Sequence, residues 1–127
     1  MEKSSSSSKN KRREGSIWEK YAGGRLKEAG MKILCYNFRC MLGEIDIVAQ
    51  DGDCLVFVEV KCRKNRNNGN PLDAVTIYKQ KTIRKVAAFY LLRYGIGSDA
   101  YCRFDVFGIE VTGKNGDVKE YWVKNAF

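Results

Sequence analysis

The chain has 127 residues, a length that fits one domain around one hydrophobic core. At 44% hydrophobic and 30% charged residues it has material for that core, and no apolar run approaches the ~18 residues that a membrane span needs. Histidine is absent and the five cysteines form no C-x-x-C pair, which argues against Ser-His or Cys-His catalysis and against a structural zinc site.

Residues 1–14, a serine run followed by a basic cluster, cannot bury enough apolar area to offset the entropy of ordering, so a disordered tail is expected there. The tail would be either a loose phosphate-seeking arm or simply solvated. It has no apolar stretch of the secretory type, and the expected location is the cytoplasm, where the cysteines would be buried thiols. Net charge is +8, and setting aside the five cations and two anions of residues 1–14 still leaves 18 against 13. A basic body draws polyanions by releasing their counterions, so nucleic acid is the expected partner, with DNA first. No amphipathic helix with a clean apolar face precedes the body, so a membrane partner is not expected.

Order is expected from residue 15 to residue 127 as one domain. Ser16 stands three residues before Glu19 in an S-x-x-E capping box, and Trp18, Tyr21, Ala22, Leu26 and Ala29 follow at helical spacing. This helix should end near Gly30, and Gly23 and Gly24 within it imply either close packing or irregularity. Three β-rich runs follow over 32–39, 43–50 and 54–61, the last two joined by Asp51, Gly52 and Asp53, and this spacing reads as an antiparallel meander. Residues 63–69 form a polar, basic loop, and Asn70 with Pro71 looks like the N-cap and first turn of a long helix that runs to about Tyr94. Its apolar positions are Val75, Tyr78, Thr82, Val86 and Tyr90. A fourth strand over 101–111, a turn over 114–117 with Asn115-Gly116, and a fifth strand over 118–123 complete the order α-β-β-β-α-β-β. The fold class is α/β, a mixed five-stranded sheet flanked by helices.

Side chains two apart on a strand share a face, which gathers Glu44 and Asp46 on one face of the second strand, with Gly43, Ile45 and Ile47 opposite. On the third strand Glu59 and Lys61 oppose Val56, Val58 and Val60. Crowded carboxylates repel and lose hydration unless a cation compensates. Mg²⁺ (or Mn²⁺) suits such oxygen ligands, held by Asp46 and Glu59 with the Val60 carbonyl as a third ligand. It would activate water and polarise a phosphodiester, while Lys61 steadies charge that builds on phosphorus. An ordinary solvent-facing stripe also explains Glu59 and Lys61, capping explains Glu19, and an ion pair with Arg63 or Arg103 would explain Glu44. Candidate phosphate contacts are Arg39, Arg63, Lys64, Arg66, Lys79 and Lys81, with Arg84 and Lys85 further along the long helix. Tyr36, Phe38, Tyr78 and Phe104 are expected in the core rather than as stacking platforms.

The stretches WEKYAGGRLKEAGMKILCYNFR, GEIDIVA and FVEVKCR, then G-x-P, then Lys79 and Lys81, and RFDVFGI, together resemble the YraN-like family of small bacterial proteins over about residues 15–123. Glu19, Ala22, Leu26, Gly30, Asn37 and Arg39 stand at matching positions, while the serine-rich start has no counterpart in the family pattern. That family is similar to archaeal Holliday-junction resolvases and to the PD-(D/E)xK nucleases, so the resemblance implies a restriction-endonuclease-like core. It also implies that Asp46 is the motif's aspartate, that Glu59 and Lys61 are its E-x-K, and that Glu19 is the glutamate of the first helix, all four catalytic. The expected activity is Mg²⁺-dependent endonucleolytic cleavage of branched or structured DNA, and a homodimer would suit two symmetric cuts. The alternatives are a non-cutting nucleic-acid-binding module on the same fold and a structural adaptor.

Overall fold

The computed structural model describes residues 16–64, 75–97, 99–113 and 115–127. The serine-rich tail, Arg66, the Gly69-x-Pro71 segment and most of the basic loop lie outside these residues. A first helix, α1, covers residues 16–28, and the chain leaves it through Gly30 at φ 94°. Strands β1 (Lys32–Cys40), β2 (Gly43–Asp51) and β3 (Cys54–Arg63) form the antiparallel meander expected from the sequence. Gly52, at φ 59°, supplies the left-handed residue of the two-residue turn between β2 and β3.

Helix α2 (Ile77–Arg93) carries the chain back across the sheet, so that β4 (Cys102–Thr112) runs parallel to β3, and β5 (Asp117–Val123) pairs antiparallel with β4 at the edge. The sheet order β1-β2-β3-β4-β5 is therefore mixed, with its one parallel pair made by the helical crossover that such a pair requires. The α/β class and the element order agree with the sequence reading.

Each face of the sheet has its own core. Phe38, Ile45, Val48 and Phe57 pack with Ile83, Val86, Ala87 and Tyr90 of α2. Ala22 and Leu26 of α1 pack with Ile47, Ala49, Val56, Val58 and Phe107 on the other face. Gly23 lets Tyr36 close on α1, because a Cβ there would lie 2.2 Å from the Tyr36 hydroxyl, whereas Gly24 faces open space. One glycine thus answers to packing and its neighbour does not.

Four expectations need correction. The long helix does not start at Asn70-Pro71: Thr76 is its N-cap, accepting from the Lys79 N–H at 3.1 Å, as a hydroxyl at that position does. Tyr78 is not core but 81% exposed, because the buried stripe of α2 runs through Ile83, Val86, Ala87 and Tyr90. The cysteines are only partly buried. Lastly, Ile45 and Ile47 do not share a face: Ile45 packs on the α2 side and Ile47 on the α1 side.

That last difference has a local cause. The pairs Tyr36↔Ile47 and Phe38↔Ile45 leave Asn37 opposite Asp46, and Asn37 has φ 54°. A left-handed residue inside a strand breaks the two-residue alternation, so both strands exchange faces at this rung. Asparagine tolerates that conformation better than most residues.

Candidate active site

The same rung is where β2 and β3 part. Their paired register runs from Asp51↔Cys54 to Ile47↔Val58 and then stops. Beyond it the Val60 N–H donates to Asp46 Oδ2 at 2.8 Å, a side chain replacing the main-chain partner. A strand residue presents its N–H and C=O to the same neighbour, so the Val60 carbonyl is directed toward this fork as well.

Glu19 reaches the fork from α1, and its carboxylate accepts from Asn37 Nδ2 at 2.8 Å. Residue 16 is already helical, and the Glu19 side chain turns to β1 and Asp46. Carboxylate oxygens of Glu19, Glu44 and Asp46 all lie within 4.8 Å of one another. Glu59, 4% exposed, is the nearest charge on the other strand. Asp46 is pushed up to about 8, first by burial and then by the Glu59 charge, against the pull of the Val60 N–H. Glu19 is also raised, again mainly by burial.

Cations from three elements meet this cluster. Lys61 Nζ lies 3.3 Å and Lys79 Nζ 3.6 Å from Glu59 Oε2, so β3 and the first turn of α2 both answer that carboxylate. Arg39 pairs with Glu44 at 3.4 Å, so the alternative of an ion pair for Glu44 is met by Arg39 rather than by Arg63 or Arg103. Arg103 instead reaches Asp51 and Asp105 across the sheet. Among the phosphate-contact candidates, Arg39, Lys79 and Lys61 surround the fork, Arg63 and Lys64 continue β3 away from it, and Lys81 is exposed on α2. Arg84 is engaged elsewhere, over the rings of Phe104 and Phe127 at 4.9 and 5.6 Å. The role of Asn37 was not legible from the sequence, although an asparagine inside a β-rich run is a signal for a left-handed residue.

The fork offers carboxylate and carbonyl oxygens, a set suited to a hard cation such as Mg²⁺ or Mn²⁺ that keeps several waters. An aspartate held near pKa 8 beside two further acids is what a site looks like when its charge is to be matched from outside the chain.

The fold and site define an α/β domain with an acidic cluster set at a strand fork. Residues 18–109 match the family model described as "Uncharacterised protein family UPF0102", and the chain belongs to that family, the YraN-like one to which the sequence motifs point. A UPF0102 protein of Clostridium botulinum (strain Loch Maree / Type A3) is 42% identical over 113 residues, 89% of this chain and 92% of the relative. One of Caldicellulosiruptor saccharolyticus is 42% identical over 118 residues, covering 93% and 99%, and one of Lachnoclostridium phytofermentans is 50% identical over 97 residues, covering 76% and 82%. No described helix is long and apolar enough to cross a membrane.

Proposed function

We propose that this protein is a Mg²⁺- or Mn²⁺-dependent endonuclease that hydrolyses phosphodiester bonds in branched or structured nucleic acid, with DNA as the leading substrate. The observation that carries the reading is the fork itself: Asp46 half-buried among Glu19, Glu44 and Glu59, with Lys61 beside Glu59. A fold gains nothing from such crowding unless a ligand uses it.

Asp46, Glu59 and the Val60 carbonyl would hold the cation, with Glu19 and Glu44 within reach to complete or orient the set. A bound divalent cation supplies Lewis acidity toward a phosphoryl oxygen and a source of activated water. The remaining work belongs to the chain. Asn37 fixes the Glu19 carboxylate, and the Val60 N–H fixes that of Asp46. Lys61, whose ammonium is drawn to the fork by Glu59, is placed to donate to charge that grows on the phosphate. Arg39 and Lys79 would hold flanking phosphates and set the register of the strand without reading its sequence. A homodimer, which would place two such sites symmetrically, belongs to the same proposal.

The test is cleavage of labelled junction, flap, single-stranded and duplex DNA with Mg²⁺ or Mn²⁺ against EDTA. Lys61→Ala should lower cleavage about 10²-fold or more while changing affinity only a few-fold, since it removes one of many cations but a donor used chiefly in the transition state. Asp46→Asn should be at least as damaging. Equal trace cutting by wild type and both variants would assign that activity to contamination and leave a non-cutting binder.

A further inference from the structure

The β1–β2 hairpin ends in Met41 and Leu42, 93% and 47% exposed. The next residue, Gly43, has φ 149°, and a Cβ there would stand 2.9 Å from Thr82 Cγ2 and 3.2 Å from Val86 Cγ2, so the hairpin is held tightly against one flank of α2. Tyr78 lies one helical turn before Thr82 on that flank, its carbonyl accepting from Thr82 Oγ1 at 3.2 Å, and its ring is free in solvent. Ile77 beside it is 70% exposed.

Scattered exposed apolar residues need no explanation, but these cluster at the rim of the acidic fork and alternate with its charged groups. Arg39 and Glu44 form the base of the hairpin that carries Met41 and Leu42. Tyr78 is followed by Lys79, which reaches Glu59. The first turn of α2 carries no acidic residue, so no carboxylate of that turn offsets the positive end of the helix beside the same ring. A ligand with charge at the fork and flat apolar surface one step away would match both parts.

We infer that Met41, Leu42 and Tyr78 form a base-stacking wedge, so that the substrate of this site is nucleic acid with unpaired or splayed bases rather than uninterrupted duplex. The inference rests on the nuclease reading and narrows it. In an intact duplex the base faces are covered by their neighbours, whereas a branch point or flap offers at least one uncovered face. Stacking on side chains is tolerant of sequence because every base has a π-face.

The experiment measures binding in EDTA, where nothing is cut. A flap substrate carrying 2-aminopurine at its first unpaired position is compared with a duplex of the same length, using wild type, M41S/L42S, Tyr78→Ala and Tyr78→Phe. Wild type should change the 2-aminopurine fluorescence and prefer the flap. M41S/L42S and Tyr78→Ala should each lose the fluorescence change and about tenfold in flap affinity, with duplex affinity and melting temperature unchanged, while Tyr78→Phe keeps the signal. Wild type that binds both substrates equally, or variants that keep the preference, would overturn the wedge and leave the nuclease reading standing. No binding to any substrate at low salt would overturn both. A wild-type dimer in sedimentation that the variants dissociate, with no fluorescence change, would assign the patch to a second copy of the chain and overturn the wedge.

Discussion

Two aspartates on this sheet, one fully buried and one half-buried, are treated in opposite ways. Asp105 on β4, fully buried, is surrounded by donors: Arg103 Nε at 3.0 Å, Trp122 Nε1 at 3.0 Å and the Asn125 N–H at 2.9 Å. Arg103 in turn grips Asp51 at 2.9 Å, tying β4 to the end of β2, while Asp105 itself holds the chain after β5 through the Asn125 N–H. Asp46 on β2 has the Val60 N–H and otherwise faces other acids. A buried charge that collects donors is part of the scaffold. One that collects like charges is what the proposed cation would answer.

The contrast can be broken at either end. The largest expected effect is at the scaffold: Asp105→Ala strips one of two carboxylate partners from a half-buried guanidinium and the partner from an indole N–H and a main-chain N–H, and should cost about 3–5 kcal/mol in denaturant unfolding. A loss below ~1 kcal/mol would mean that Asp105 is not the anchor its donors make it. Asp46→Asn should do the reverse in metal-free buffer at pH 8, leaving stability unchanged or higher, since it removes a charge the fold disfavours.

The pH profile sharpens this. Asp46 titrates near 8 in the folded chain and near 3.8 when unfolded, so between those values the native state holds the extra proton. Stability contributed by that proton is fully present below the unfolded value and is lost as pH rises through the folded one, by at most about 1.4 kcal/mol per pH unit. Glu19, also raised, adds in the same direction. Thermal unfolding in EDTA should therefore show stability falling from pH 5 toward pH 8, and Asp46→Asn should flatten the slope. Mg²⁺ should raise the melting temperature more at pH 8 than at pH 6, because it competes with the proton for the same oxygens. A Mg²⁺ shift that Asp46→Asn retains in full would place the cation elsewhere.

The sequence carried the sheet because strand periodicity, turn residues and the α-β-β-β-α-β-β order are local signals. It pointed to Glu59 and Lys61 through an alternation that held along β3, and to Asp46 through the crowding of carboxylates rather than its face, because the alternation of β2 fails at that rung. It misled at Ile45 and Ile47, where a single left-handed residue on the neighbouring strand reverses the faces, an effect no period within β2 can reveal. It misled at Tyr78 for a related reason: spacings of three and four fit more than one helix stripe, and packing chose the one through Ile83. The pairing of Lys79 with Glu59 joins elements distant in sequence, and only the folded chain brings them together, whereas that of Arg39 with Glu44 lies across the β1–β2 hairpin and depends on its register.

Asn37 gives the smallest expected effect and the finest test of how the fork is made. Its φ of 54° penalises most side chains, and its amide holds Glu19 at 2.8 Å. Asn37→Gly relieves the conformational demand but loses the hydrogen bond, so unfolding stability should change by no more than about 1 kcal/mol. Asn37→Ala loses the bond and keeps the demand, and should cost about 1–2 kcal/mol. If Asn37 matters only to the backbone, glycine would preserve the Mg²⁺-induced rise in melting temperature. If it also positions Glu19, both variants should weaken that rise alike, despite their different stabilities. Equal responses to Mg²⁺ in the glycine variant and the wild type would remove Glu19 from the cation's surroundings and leave the fork to Asp46, Glu44 and Glu59.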